Sequence, residues 1–102
     1  MNCLEYKKTR QNYIPAEFYL SRNNPDPFNE KTMINYYLPR KEKIKIEILD
    51  YEGKKVKTLV NEIKDGGFYQ IEFYANRLKE GIYIYTMIAG RFAMERRMLY
   101  LK

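Results

Sequence analysis

The most regular stretch of the chain is Lys43-Ile44-Lys45-Ile46-Glu47-Ile48-Leu49, where isoleucines alternate with charged residues. A period of two puts Ile44, Ile46 and Ile48 on one face of a strand and Lys45 and Glu47 on the other, the pattern of a half-buried antiparallel sheet. Thr32 to Leu38 alternates in the same way, Thr32, Ile34, Tyr36 and Leu38 against Met33, Asn35 and Tyr37, until Pro39 stops it. Phe68 to Tyr74 repeats it, with Tyr69, Ile71 and Phe73 sharing one face. Gly81 to Ile88 is apolar on both faces, which predicts a central strand. Strands are also expected at Ala16–Leu20, at Lys55–Val60, and from Phe92 to Lys102.

Between these runs lie strong turn signals. Asn23-Asn24-Pro25-Asp26-Pro27 removes two backbone donors and fixes two φ angles. In Asp50-Tyr51-Glu52-Gly53 the aspartate can bond its own backbone and the glycine can take the positive φ that closes a hairpin. Lys64-Asp65-Gly66-Gly67 and Ala89-Gly90-Arg91-Phe92 read as two further turns. About seven short strands with regular turns and no helical period predict an all-β chain, an immunoglobulin-like antiparallel β-sandwich. Residues 1–14 are polar, lack a period and end at Pro15, so they read as a linker or tail ahead of a single domain at 15–102.

Composition narrows the chemistry. With 45% hydrophobic and 16% aromatic residues, 102 residues suffice for one core. No run approaches the roughly 18 apolar residues of a membrane-spanning helix, and the first residues, Met1 to Lys8, lack the apolar stretch of a secretory signal. Cys3 is the only cysteine, which excludes an intrachain disulfide and reads as a free thiol in the tail. Histidine is absent, and with it the usual neutral-pH base and the commonest nitrogen ligand of zinc. The 13 acidic residues fall mostly in turns or at solvent-facing positions, so no catalytic pair, metal site or cofactor site is expected. Asp26 and Asn29 read as loop caps, because calcium needs more oxygen donors than this loop offers. The net charge of +6 is spread over short groups such as Arg40–Lys45, Lys54–Lys57 and Arg96-Arg97, without a nucleic-acid-reading motif; it reads as a solvated surface.

Several spaced motifs carry a family resemblance. Asn24-Pro25-Asp26-Pro27-Phe28-Asn29-Glu30-Lys31-Thr32 resembles the opening motif of the C-terminal sorting domains of the type IX (Por) secretion system, with Asp26 and Glu30 as departures. Asp50, Gly53, Val56 and Leu59 match the family's hairpin, with Val56 and Leu59 as core contacts. Gly67, Phe73, Leu78, Gly81, Tyr83 and Tyr85 follow at the family's spacing, although Tyr69 and Thr86 stand where His and Arg are frequent. Gly90 and the ending Arg96-Arg97-Met98-Leu99-Tyr100-Leu101-Lys102 are similar to the family's closing motif. The immunoglobulin-like domain of the flagellar hook-capping protein shares some of these motifs.

The resemblance implies a non-catalytic address tag at the end of an exported cargo. The implied partners are the outer-membrane translocon and its sortase-like peptidase. The implied route runs through the periplasm, behind a signal peptide this chain lacks, to the cell surface or medium, with the domain a monomer. Pro25, Pro27, Phe28, Asn29, Thr32, Asp50, Gly53, Gly67, Gly81, Tyr83 and Gly90 are then mainly structural. Gly81 permits a tight start to its strand, and Tyr83 is expected to bond backbone as a tyrosine corner. Recognition is assigned to Arg97, Leu99, Leu101 and Lys102 on a terminal strand at an accessible sheet edge, with Lys102 adding a cation. Leu99 and Leu101 also read as core residues. The alternative is an immunoglobulin-like binding module whose eleven Tyr and five Phe form a platform for glycan or protein.

Overall fold

The computed structural model describes residues 17–102, so the expectations for residues 1–14, Cys3, Pro15 and Ala16 lie outside the described residues. Seven strands follow in order: β1 (Tyr19–Leu20), β2 (Lys31–Leu38), β3 (Glu42–Asp50), β4 (Lys55–Lys64), β5 (Gly67–Tyr74), β6 (Gly81–Ala89) and β7 (Phe92–Tyr100). They form a three-stranded sheet, β1-β2-β5, and a four-stranded sheet, β4-β3-β6-β7, with every neighbouring pair antiparallel. This is the immunoglobulin-type sandwich, with the fourth strand placed beside the third. The Lys64–Gly67 turn therefore carries the chain from one sheet to the other, although its residues look like those of a hairpin.

The core is the meeting of two alternating faces. Ile34, Tyr36, Leu38 and Phe73 come from the smaller sheet, and Ile44, Ile46, Ile48, Tyr83, Tyr85, Met87, Met98 and Tyr100 from the larger. Every aliphatic or aromatic residue that the period-two reading of Thr32–Leu38 and Lys43–Leu49 placed inward is buried. Val56 and Leu59 pack partly buried against this core. Asp50 Oδ1 accepts the amides of Glu52 and Lys54, both at 2.9 Å, and Gly53 takes φ +87°, as the turn chemistry requires. The Tyr83 hydroxyl donates to the Lys79 carbonyl at 2.6 Å, closing a tyrosine corner just after Gly81, whose φ is +146°.

Four expectations change. The first strand pairs only through Tyr19 and Leu20; Phe18 instead packs its ring 5.4 Å from that of Phe92. Beyond Leu20 the regular ladder ends, but the chain stays beside β2 through Ser21 N on Asn35 O at 2.8 Å and an Asn24–Met33 bridge, and only then enters the proline turn. β4 extends to Lys64, four residues past the expected Val60, because β3 offers it partners as far as Glu42. β7 stops at Tyr100, because its partner strand begins at Gly81 and offers Leu101 no ladder position. Finally, β6 is central, but only its inner face is buried. Ile82 and Ile88 on the outer face remain 39% and 46% exposed. A central position satisfies a strand's main chain without covering both of its faces.

Candidate functional site

The site is built around the end of β7. Alternation along this strand turns Phe92, Met94, Arg96, Met98 and Tyr100 inward and Ala93, Glu95, Arg97 and Leu99 outward. Met98 and Tyr100 are buried, whereas Leu99 is half-buried on the outer face and Leu101 is 43% exposed. The reading of Leu99 and Leu101 as core is corrected accordingly. The inward residues were the ones to find: Phe92, Met94, Met98 and Tyr100 are four large apolar side chains in one alternation class, against Ala93, Leu99 and Leu101 in the other.

The outward residues do not stand alone. Register sets Leu99 opposite Ile82 and Arg97 opposite Ile84, and Ile84 opposite Leu49 of β3. Leu49, Ile82, Ile84, Leu99 and Leu101 thus line one continuous stretch of the outer face, with Arg97 and Lys102 at its border. Scattered exposed leucines are ordinary, but a contiguous apolar stretch rimmed by charge marks an interaction surface. Lys102 is exposed, and its backbone amide is held by Glu80 Oε1 at 2.9 Å.

The proline turn meets this strand. After β1 the chain runs parallel to β7 and reaches it at Phe28, which bridges Tyr100 in parallel. Phe28 N donates to Leu99 O at 3.0 Å, and Leu101 N donates to Phe28 O at 2.9 Å. Asp26 Oδ1 accepts the Leu99 amide at 2.9 Å. Asp26, expected to cap its own loop, therefore caps a strand far along the chain. The Phe28 ring is 3% exposed and sits 5.3 Å from Tyr100 and 6.2 Å from Phe73.

A small polar knot anchors the turn from behind. Thr32 Oγ1, fully buried, donates to Pro25 O at 2.8 Å and accepts from Asn23 Nδ2 at 3.2 Å. The bonds Asn24–Pro25 and Asp26–Pro27 are cis. Pro25, Pro27 and Asn29 are exposed. The segment feeding the turn is tied to the larger sheet twice, by the Tyr85 hydroxyl on Ser21 O at 2.6 Å and by Arg96 Nε on Leu20 O at 2.7 Å. Burial pushes the Tyr85 phenol up to about 12. Sequence reasoning missed the bonds of Ser21 and Arg96, since nothing in the local pattern signals a bond across the sandwich, and that of Asn23, whose partner Thr32 lies nine residues on.

Of the other motif residues, Asp50 and Gly53 form the β3–β4 turn and Gly67 opens β5 opposite Leu38. Gly90 makes the two-residue β6–β7 turn with Arg91. The structure brings Asp26, Phe28, Arg97, Leu99 and Leu101 together; the β3–β4 turn begins at the same end of the sheet, with Asp50 opposite Tyr83 and Tyr83 opposite Met98, so that β6 lies between it and β7.

On the outer side of the smaller sheet, Tyr19, Tyr37 and Phe68 form a cross-strand aromatic row. Gln70 Nε2 donates to Asn35 Oδ1 at 3.0 Å beside it. An open groove of about 750 Å³ lies here, lined by Tyr19, Ser21, Asn35, Tyr36, Phe68, Tyr69 and Gln70.

Among the described residues no group of three or more metal-ligating side chains comes together, and no helix is long and apolar enough to cross a membrane. The sequence family described as "Secretion system C-terminal sorting domain" matches residues 24–100, from the proline turn to the end of β7. No curated protein matches the chain.

Proposed function

The chain belongs to the family of secretion system C-terminal sorting domains, the sorting signals of type IX secretion, and on that premise we propose that the outward end of β7 is the surface the outer-membrane translocon reads. The domain directs the cargo that carries it to the cell surface or medium. The supporting observation is that Arg97 and Leu99 share one outer face with Leu49, Ile82 and Ile84, held in register by the sheet, while Leu101, just past the ladder, is held by its amide on Phe28 O. Lys102 completes the charged border. A surface fixed by the fold loses little ordering entropy on docking, so recognition by shape needs no catalytic group.

On this reading the domain, residues 15–102, travels through the periplasm at the end of its cargo, acts as a monomer and performs no chemistry. A sortase-like peptidase acts on the cargo afterwards, and neither nucleic acid nor a metal takes part. The experiment is a fusion of the full chain behind a signal peptide and a fluorescent reporter, in a bacterium with a working type IX system. Wild type is expected at the surface or in the medium. Ile82→Ser with Leu101→Ser, both at exposed positions, is expected to stay folded but leave the reporter in the periplasm. Export of the folded double variant at the wild-type level removes this face as the recognition surface. Periplasmic retention of the wild-type fusion sinks the sorting reading for this chain.

The aromatic row of Tyr19, Tyr37 and Phe68 favours a second reading, a binding module. Such a module retains its ligand when neither cargo nor secretion machinery is present, which separates the two.

A further inference from the structure

The edge of β7 is finished along only part of its length. Leu99 turns its N–H and C=O away from β6, where Asp26 and Phe28 meet them. Antiparallel pairing alternates by two, so the N–H and C=O groups of Ala93, Glu95 and Arg97 point the same way. Among the described residues these groups meet no partner. The β6–β7 register is unbroken from Gly81 opposite Tyr100 to Ala89 opposite Phe92. Neither bulge nor proline protects this stretch, two of the devices that commonly blunt an exposed edge.

Charge gathers at the same place. Arg22, Glu95, Arg96 and Arg97 surround a cleft of about 360 Å³ between the segment after β1 and the β7 edge. Three cations face one carboxylate, and no carboxylate among the described residues lies within ion-pair distance of Arg22, Arg96 or Arg97. Arg96 is fixed by its bond to Leu20 O, which holds its charge at the cleft. An edge of unpaired amides and carbonyls is complementary to another main chain, and the arginines select an acidic one.

We propose that the open half of the β7 edge, Ala93 to Arg97, takes up an extended acidic segment of a partner polypeptide as an added strand. The inference deepens the sorting reading by naming the chemistry of what docks beside the recognition face, and it rests on that reading for its biological setting. The proline turn sets the limit of the added strand, because Asp26 and Phe28 already hold the edge at Leu99 to Leu101. The outer face stays open for side-chain contacts while the edge is filled.

The test uses the full 102-residue chain, isotopically labelled, and the peptide acetyl-Glu-Val-Glu-Thr-Glu-Val-Glu-amide as probe. The amides of Ala93, Glu95 and Arg97 are expected to shift and to gain exchange protection, while those of Met94 and Met98, already bonded to β6, change little. Glu95→Pro deletes an outward donor and no internal bond, so the fold is retained and affinity falls about tenfold or more. Ala93→Pro repeats the test should Glu95→Pro unfold. Arg22→Ala is expected to weaken binding several-fold and to flatten its salt dependence. A probe with lysine in place of glutamate is expected not to bind.

Binding that survives both proline variants, shifts confined to other strands, or no shift at millimolar probe each overturn the proposal. So does tight binding to phosphatidylglycerol vesicles that the proline variants leave untouched and the peptide cannot displace, which would make the cleft a lipid-facing charge patch. Because the measurement needs no secretion machinery, its failure is distinguishable from failure of the reporter fusion. Peptide binding with a retained reporter strikes at the sorting reading alone.

Discussion

The two edges of the four-stranded sheet are finished by different means. β4 is defended locally: its pairing with β3 slips between Ile46 and Glu47 and again between Ile48 and Leu49, and Lys55, Lys57 and Glu62 stud it with charge. Bulges and lysines of this kind discourage edge-to-edge association without help from the rest of the fold. β7 is finished by tertiary structure, since Asp26 and Phe28 arrive from the far end of the domain to close its last residues. The β4 edge is thus written in its own sequence, whereas the β7 edge exists only once the sandwich has formed. A recognition surface beside β7 consequently reports folding, and one beside β4 would not.

The largest break in this contrast is expected from Phe28→Ala. The side chain is 3% exposed between Phe73 and Tyr100, so its loss costs about 3–5 kcal/mol and releases the β7 end. Urea unfolding should show the drop, and hydrogen exchange should show the Leu101 amide losing protection; an unchanged midpoint would mean the turn is not the closure described above.

Tyr85→Phe comes next, because it leaves the Ser21 carbonyl without its buried donor and loosens the segment that delivers the turn. A loss of about 1–3 kcal/mol is expected in denaturant titration. The same residue sharpens the alkaline limit. Burial raises Tyr85 and Tyr36 from 10.0 to about 12, so folding favours the protonated phenols. Their contribution is complete below pH 10 and is lost as pH climbs through about 12, since between these values the unfolded chain binds fewer protons than the folded one. Tyr85→Phe should make the fall in stability across this window shallower than in wild type, and identical slopes would argue against a buried, bonded phenol.

The smallest effects are a matched pair, one from each edge. Asp26→Ala removes the acceptor of the Leu99 amide and is expected to cost about 1 kcal/mol, with faster exchange at Leu99. Lys57→Ala on β4 should stay within about 0.5 kcal/mol and leave every β7 amide as it was. Equal effects from the two would erase the distinction between a local and a tertiary edge.

How far the sequence can be read follows the same division. Ile44, Ile46 and Ile48 announce their strand and face, and Asp50 to Gly53 announce a turn, because both signals lie within a few residues and depend only on local geometry. Which sheet a strand joins is not a local property. The Lys64–Gly67 turn has hairpin chemistry and yet crosses the sandwich, for a period of two defines a face and leaves the neighbour open. Asp26 was legible as a capping residue but not as the cap of Leu99. The recognition set Arg97, Leu99 and Leu101 was legible as residues, but its setting beside Leu49, Ile82 and Ile84 required the register. The apolar outer face of β6 was visible in the chain and did mark a central strand, but a central position does not say what covers that face.

The closure at Leu99 also gives the domain a clock. Asp26 and Leu99 are 73 positions apart, so their bond closes one of the longest loops the chain can make. Loops of that length carry a large entropy cost, met only after nearer pairings such as β3 with β4 are in place. The Leu99 junction should therefore be among the last parts to form. A polypeptide interrupted anywhere before Leu99 leaves Asp26 and Phe28 with nothing to hold, however well its earlier strands have paired. Capture of the proline turn and closure of the β7 edge then become a single event at one end of one strand.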